Sequence, residues 1–201
     1  MWTLPAGALP IVPFTETFNV DDSNWLDATS GAPTYNATGG PDGSGYISTT
    51  QIAQGPPFGT IMFRANQSAG ASGGNFSGDW GNVITLTADV RHDGPAPASF
   101  FFRFSAGPGN SLIGLTGAPV AANVWTTLTL AIDASNPLFT SGGGTFASVM
   151  PNVQDFQIGV VGDAATSVTW DLDNVSIVPE PSTALLVAGG LLAMARARRR
   201  S

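Results

Sequence analysis

The sequence predicts an all-β fold, a single antiparallel β-sandwich of jelly-roll type over residues 11–177, followed by a short apolar helix at the C-terminus. Three observations predict it. The chain carries 25 Gly and 15 Pro among 201 residues, and both residue types break helices. Several segments alternate apolar and polar residues with a period of two, the signature of a half-buried strand. No stretch before Ser182 sustains the 3.6-residue apolar period of a helix.

Residues 1–10 contain Pro5 and Pro10 and no Lys or Arg. They lack both the basic start and the continuous apolar run of a secretory signal, so they read as a remnant or a misassigned start, with the true reading frame beginning upstream. Strand candidates then follow at 11–18, 45–52 and 58–65, each bounded by Gly, Pro, Asn or Asp. The Gly-rich stretches 67–81 and 141–144 read as loops. Ile84, Leu86, Ala88 and Val90 alternate with Thr85, Thr87, Asp89 and Arg91, which gives a strand with one buried face. Phe100, Phe102 and Phe104 do the same between Ser99 and Ser105, as do Leu128, Leu130 and Ile132. Weaker candidates at 112–116 and 153–161 bring the expected total to eight or nine. In the last strand Val168, Trp170 and Leu172 share one parity while Val175 and Ile177 share the other. Both sets can face the core only if one extra residue intervenes, so a β-bulge is predicted near Asp173 and Asn174. Many short strands at regular spacing favour a sandwich or jelly roll.

Charge excludes one class of partner. Lys is absent, and up to Ile177 the cations are Arg64, Arg91 and Arg103, set against thirteen carboxylates from Glu16 to Asp173. The body therefore carries a formal charge of about −10 and repels nucleic-acid phosphates. Without Cys there is neither a disulfide framework nor thiolate chemistry.

The C-terminus is organised differently. Val178, Pro179, Glu180 and Pro181 are followed by the apolar run 184–195 and by Arg196, Arg198, Arg199 and Arg200. The prolines hold the peptide around Glu180 extended and open to a protease. The apolar run would span about 18 Å as a helix, short of the roughly 20 residues a bilayer core needs, and the arginines after it keep the extreme end in the cytoplasm. A minimal membrane anchor with a proline linker is the plainer alternative.

Motif, apolar run and arginine cluster in this order resemble the PEP-CTERM sorting signal of Gram-negative bacteria. That resemblance implies that an exosortase, a membrane cysteine protease, recognises and cleaves residues 178–201. It implies transient contact with the inner membrane through the helix, export, and a place at the cell surface or in the extracellular matrix. Proteins of this kind are linked to extracellular polysaccharide and to biofilm formation.

The segment Phe14-Thr15-Glu16-Thr17-Phe18 with Trp25, and the closing Trp170-Asp171-Leu172-Asp173-Asn174-Val175, resemble galactose-binding-like and laminin-B-type jelly rolls, which include carbohydrate-binding modules. In such folds the first and last strands lie together and supply oxygens to a structural calcium, for which Glu16 and Asp173 occupy comparable places; calcium takes six to eight oxygens. Sugar binding uses aromatic rings beside polar groups, and the candidates in loop-like segments are Trp25, Tyr46 and Trp80, with Tyr35 and Phe58 nearby. Trp125 and Trp170 are expected in the core. The single His, His92, stands in a His-Asp-Gly turn with no nucleophile elbow and no metal-ligand spacing, so no catalytic residue is assigned. The body is thus expected either to bind extracellular polysaccharide or to serve as a purely structural surface protein. A polysaccharide-cleaving enzyme built on paired carboxylates is the remaining alternative.

Overall fold

The computed structural model describes residues 13–54, 59–162 and 166–179. Residues 1–12, Phe58 and everything from Glu180 onward, including Glu180, Pro181, the apolar run and the arginine cluster, lie outside the described residues. Among the described residues no helix is long and apolar enough to cross a membrane.

Twelve strands appear among the described residues: β1 Phe14–Glu16, β2 Leu26–Asp27, β3 Thr34–Asn36, β4 Tyr46–Ile52, β5 Thr60–Asn66, β6 Val83–His92, β7 Ser99–Ser105, β8 Ser111–Leu115, β9 Thr126–Ala131, β10 Phe139–Ser141, β11 Asp155–Val161 and β12 Ser167–Pro179. One short helix, α1 (Phe146–Val149), is closed at its start by a capping box between Thr145 and Ser148. The strands form two sheets packed as a sandwich. The first runs β3-β4-β12-β6-β9, with β1 also on β12, and the second runs β10-β8-β7-β11-β5-β2. Every strand pair is antiparallel, as the alternating pattern requires.

β12 organises the first sheet. On one side it pairs with β4 through residue 172 and then with β1 from Val175 to Ile177; on the other it pairs with β6 along most of its length. The predicted bulge is present. Asp173 opposes Asp89 while Ser176 opposes Thr87, three steps against two, and Asn174 takes a left-handed φ of 46°, a conformation Asn tolerates. Val168, Trp170, Leu172, Val175 and Ile177 are all buried in consequence. A second shift, where Val178 opposes Thr85 and Pro179 opposes Val83, corrects one expectation. It turns Val83 into the core and leaves Ile84 37% exposed. Pro179, the first Pro of the tail motif, closes β12 as a buried strand end, so the strand runs two residues past the expected boundary at 177.

The stretch 67–81 is not a plain loop. Asn66 caps a 3-10 turn at Gln67–Ala69, a second turn spans Ala71–Gly74, and Ala71, Phe76 and Trp80 are buried. Trp25, Phe76, Trp80, Phe104 and Phe156 pack as one aromatic cluster, with ring centroids 5.4 Å apart for Trp25 and Phe76, 5.6 Å for Phe76 and Phe156, and 5.1 Å for Trp80 and Phe104. Such pairs add roughly 0.5–1.5 kcal/mol each beyond area burial.

Candidate functional site

The outer face of the second sheet carries the most unusual side chains of the body. In β5, β7 and β11 one parity is core: Phe63 and Ala65, then Phe100, Phe102 and Phe104, then Phe156, Ile158 and Val160. The opposite parity must point outward, and there stand Arg64, Arg103, Asp155 and Gln157. Register aligns three of them, with Arg64 opposite Gln157 and Gln157 opposite Arg103.

They form one hydrogen-bonded ladder. The Arg64 Nη2 donates to Asp155 Oδ2 at 2.6 Å and its Nη1 to Ser30 Oγ at 3.2 Å. The Gln157 Nε2 donates to the same Asp155 oxygen, and the Arg103 Nη1 donates to Gln157 Oε1 at 3.1 Å. The amide orientation of Gln157 follows from its neighbours, since guanidinium offers only donors and carboxylate only acceptors. Although outward-facing, Asp155 is 8% exposed and Gln157 4%. Two polar atoms of the ladder, Arg64 Nε and Asp155 Oδ1, are buried and lack a hydrogen-bond partner among the described residues, a desolvation cost that the ladder carries.

An apolar strip borders the ladder. Phe101 opposes Gly159 on one side and Leu115 on the other. A Cβ at Gly159 would collide with the Phe101 ring, as would one at Gly59, so the ring lies down across bare backbone. Ile113 opposes Arg103 and Leu115 is 45% exposed. Phe101 is itself only 8% exposed, so the strip presents chiefly Leu115 and the half-buried Ile113 to solvent beside the forked polar groups, and a mix of apolar and polar groups is what lines sugar sites.

The outer face of the first sheet is built differently. Arg91 Nε donates to Asp171 Oδ2 at 2.7 Å, and its guanidinium carbon sits 4.6 Å from the Trp125 ring centroid and 5.2 Å from that of Tyr46. The Trp125 indole N–H donates to Gly39 O at 3.1 Å. Burial pushes the Asp171 carboxyl up, against the lowering effect of Arg91. Here the aromatic faces are engaged by a cation of the same chain.

The residues singled out from sequence are distributed as follows. Trp25 and Trp80 are fully buried, with their indole N–H groups donating to Ser72 Oγ and Phe76 O; as core rings they offer no face to a ligand. Tyr46 is half-buried beside Arg91, and Trp125, expected in the core, stands next to it on the same outer face. Trp170 is in the core. Glu16 accepts from Thr17 N and Phe18 N through Oε1 and from the Ser72 hydroxyl through Oε2. Asp173 is fully buried and accepts from Asn174 N at 2.7 Å and from the Ser44 hydroxyl at 3.3 Å. Burial pushes its pKa up to about 6, against the hydrogen bonds and with help from Asp42 and Asp89. Among the described residues no group of three or more His, Asp or Glu is placed to hold a metal ion. Both Glu16 oxygens accept hydrogen bonds from protein donors, and a calcium ion, which takes six to eight oxygens, would need further ligands beside Glu16 and Asp173. His92 is 1% exposed; Gly94 N donates to its Nδ1, so Nε2 carries the proton and donates to Val120 O at 3.0 Å. Neither ring nitrogen is left for chemistry.

Solved structures share this architecture. The CBM22-1–GH10 modules of Clostridium thermocellum endo-1,4-beta-D-xylanase 10B, complexed with xylohexaose, match with a TM-score of 0.53 at 15% identity over 84% of this chain. This chain covers 28% of that longer one. The CBM22-1 xylan-binding domain from Paenibacillus barcinonensis Xyn10C gives 0.52 at 14% identity, covering 88% of this chain and 97% of that one. A xylan-binding domain from CBM22 gives 0.50 at 13%, with the same coverages. The fold is that of the carbohydrate-binding-module jelly rolls. No protein-family model matches the chain, and no curated protein does. At such identities the likeness to these modules concerns architecture alone.

Sequence reasoning passed over the ladder. Its signal was Arg103 set among Phe100, Phe101, Phe102 and Phe104, Arg64 between Phe63 and Ala65, and Gln157 between Phe156 and Ile158. Each is a polar residue at the non-core parity of a strongly apolar strand. That they share one row depends on cross-strand register, which no single strand encodes.

Proposed function

We propose that the chain is an exported polysaccharide-binding protein of a Gram-negative bacterial surface or matrix. The outer face of the second sheet is its binding surface, and residues 178–201 are a sorting tail that an exosortase removes. The observation that carries the binding reading is the Arg64–Asp155–Gln157–Arg103 ladder, outward-facing yet largely withdrawn from solvent, beside the ring of Phe101. A sheet face with no ligand to meet gains nothing from burying a carboxylate and a carboxamide there, because each must be desolvated. The tail reading is supported by the order of its three parts in the sequence.

The surface binds and does no chemistry. Glycoside hydrolysis takes two carboxylates across the scissile bond, whereas the ladder has one, Asp155, already ion-paired to Arg64.

Affinity electrophoresis of the full chain through gels containing the host's extracellular polysaccharide, or xylan, tests the binding. Retardation is expected, and Gln157→Ala should weaken it by about tenfold, the loss of a buried hydrogen-bonding group. Migration unaffected by every glycan would leave a structural surface protein as the account. For the tail, mass spectrometry of the protein recovered from cells should find the Arg cluster gone; an intact Arg200-Ser201 terminus would overturn processing.

A further inference from the structure

We infer that the polysaccharide taken by this face is anionic, and that Arg103 seats its carboxylate or sulfate groups. The inference rests on the binding role proposed for the ladder and adds the chemical class of what binds.

The described residues contain three cations, Arg64, Arg91 and Arg103, in a chain without Lys. Two are neutralised in place, Arg91 by Asp171 and Arg64 by Asp155. Arg103 has no carboxylate within ion-pairing distance among the described residues, and its one side-chain hydrogen bond runs from Nη1 to Gln157 Oε1. A guanidinium has five N–H donors in a rigid fork, so most of its capacity is unspent. Its position is not incidental. Phe102 and Phe104 are locked inward on the same strand, which fixes Arg103 outward, and Gln157, held by Asp155, braces it from the side.

The charge balance of the face points the same way. Two guanidinium groups flank one carboxylate, a local surplus of one positive charge on a body of about −10. The two arginines stand on strands either side of β11, with Cα atoms about 10 Å apart at two strand spacings. A neutral glycan needs no such surplus. A carboxylate or sulfate does, since the fork matches its oxygens two at a time. The body's charge of about −10 opposes a polyanion at long range, so the preference rests on contact with the fork and should show at an ionic strength that screens the wider repulsion.

The test uses the full chain against four defined polymers: polygalacturonate for carboxylate, dextran sulfate for sulfate, and xylan and dextran as neutral controls. Binding to one or both anionic polymers should be at least tenfold tighter than to either neutral one. Arg103→Gln should abolish that preference with little change in melting temperature, and Arg103→Lys should retain only part of it, keeping the charge without the fork. Which anionic polymer binds more tightly identifies the group. Equal or tighter binding of xylan or dextran would overturn the anionic assignment while upholding the glycan-binding role, and so would an Arg103→Gln variant that keeps the preference. Retention of none of the four, nor of the host's own polysaccharide, would overturn the binding role beneath it.

Discussion

Replacing Ser72 with Ala removes a single oxygen from the interior and should cost more than that atom suggests. The Trp25 indole N–H donates to Ser72 Oγ at 2.7 Å, and the Ser72 hydroxyl donates onward to Glu16 Oε2 at 2.7 Å. Trp25 is 0%, Ser72 6% and Glu16 9% exposed, so neither end can turn to bulk water. The indole N–H left without an acceptor costs about 1–3 kcal/mol, and a charge-assisted hydrogen bond lost from the carboxylate about 1.5–3 kcal/mol. Together they amount to roughly 3–5 kcal/mol, or a fall of about 10 °C in melting temperature for a domain of this size. A control separates the relay from the backbone. Ser72 sits at a φ of 48°, where Gly is unstrained and Ala is not, so Ser72→Gly should be less damaging than Ser72→Ala by about 0.5–1 kcal/mol. Urea denaturation followed by tryptophan fluorescence reads both variants. A Ser72→Ala midpoint within about 0.5 kcal/mol of the parent at unchanged slope would show that the relay contributes nothing and refute the reasoning.

Other perturbations test separate parts of the fold. The folded pKa of Asp173, about 6, lies above its ordinary value of 3.8, so the native state holds the extra proton between those values and stability falls as pH rises through that window. The loss is about 3 kcal/mol from the difference in pKa. Asp173→Asn should flatten that slope and be the more stable protein at pH 7, as read from urea midpoints at pH 4 and pH 7 in EDTA-containing buffer; an unchanged slope would count against it. Gly159→Ala drives a methyl into the Phe101 ring and should cost about 1–3 kcal/mol. Adding Phe101→Ala should recover part of that loss, and additive costs in the double-mutant cycle would contradict the contact. Arg91→Met leaves Asp171, 6% exposed, without its counter-ion and should destabilise by about 3 kcal/mol at pH 7. Acidification or a second change, Asp171→Asn, should restore most of it, and a loss independent of pH would point to packing instead.

Where burial is one-sided, the strands were legible. Leu86, Ala88 and Val90, the Phe100–Phe102–Phe104 set and the parity break at Asp173 each state which side faces inward, and the bulge followed from that arithmetic alone. β2, β3 and β10, of two or three residues, are too short to show a period and exist because a longer neighbour pairs with them. Ile84 was misplaced because the irregularity opposite Pro179 lies in the pairing and leaves no mark in the alternation of β6 itself. The tryptophans show a different limit. Trp25 and Trp80 sit in Gly-rich and Asp-rich surroundings that look like exposed loops, yet those segments fold back to plug the sandwich, whereas Trp125 lies just before β9 and turns outward onto Arg91. Aromatic placement depends on which cavity lacks a plug, a property of the assembled sheets. The ladder was illegible for the reason that hides any cross-strand constellation: its members lie on three strands far apart in sequence.

β12 also fixes how the body bears a load. Its final residues pair with β1, Phe14 opposing Ile177, so the first and last described strands leave the sandwich at the same corner. Tension applied beyond Pro179 runs along β12, which is flanked by β6 on one side and by β4 and β1 on the other. Ladder hydrogen bonds lie across the strand direction, so such a pull shears many of them at once instead of unzipping them singly. A body tethered through this corner would resist drag on its second sheet with most of its first sheet in parallel.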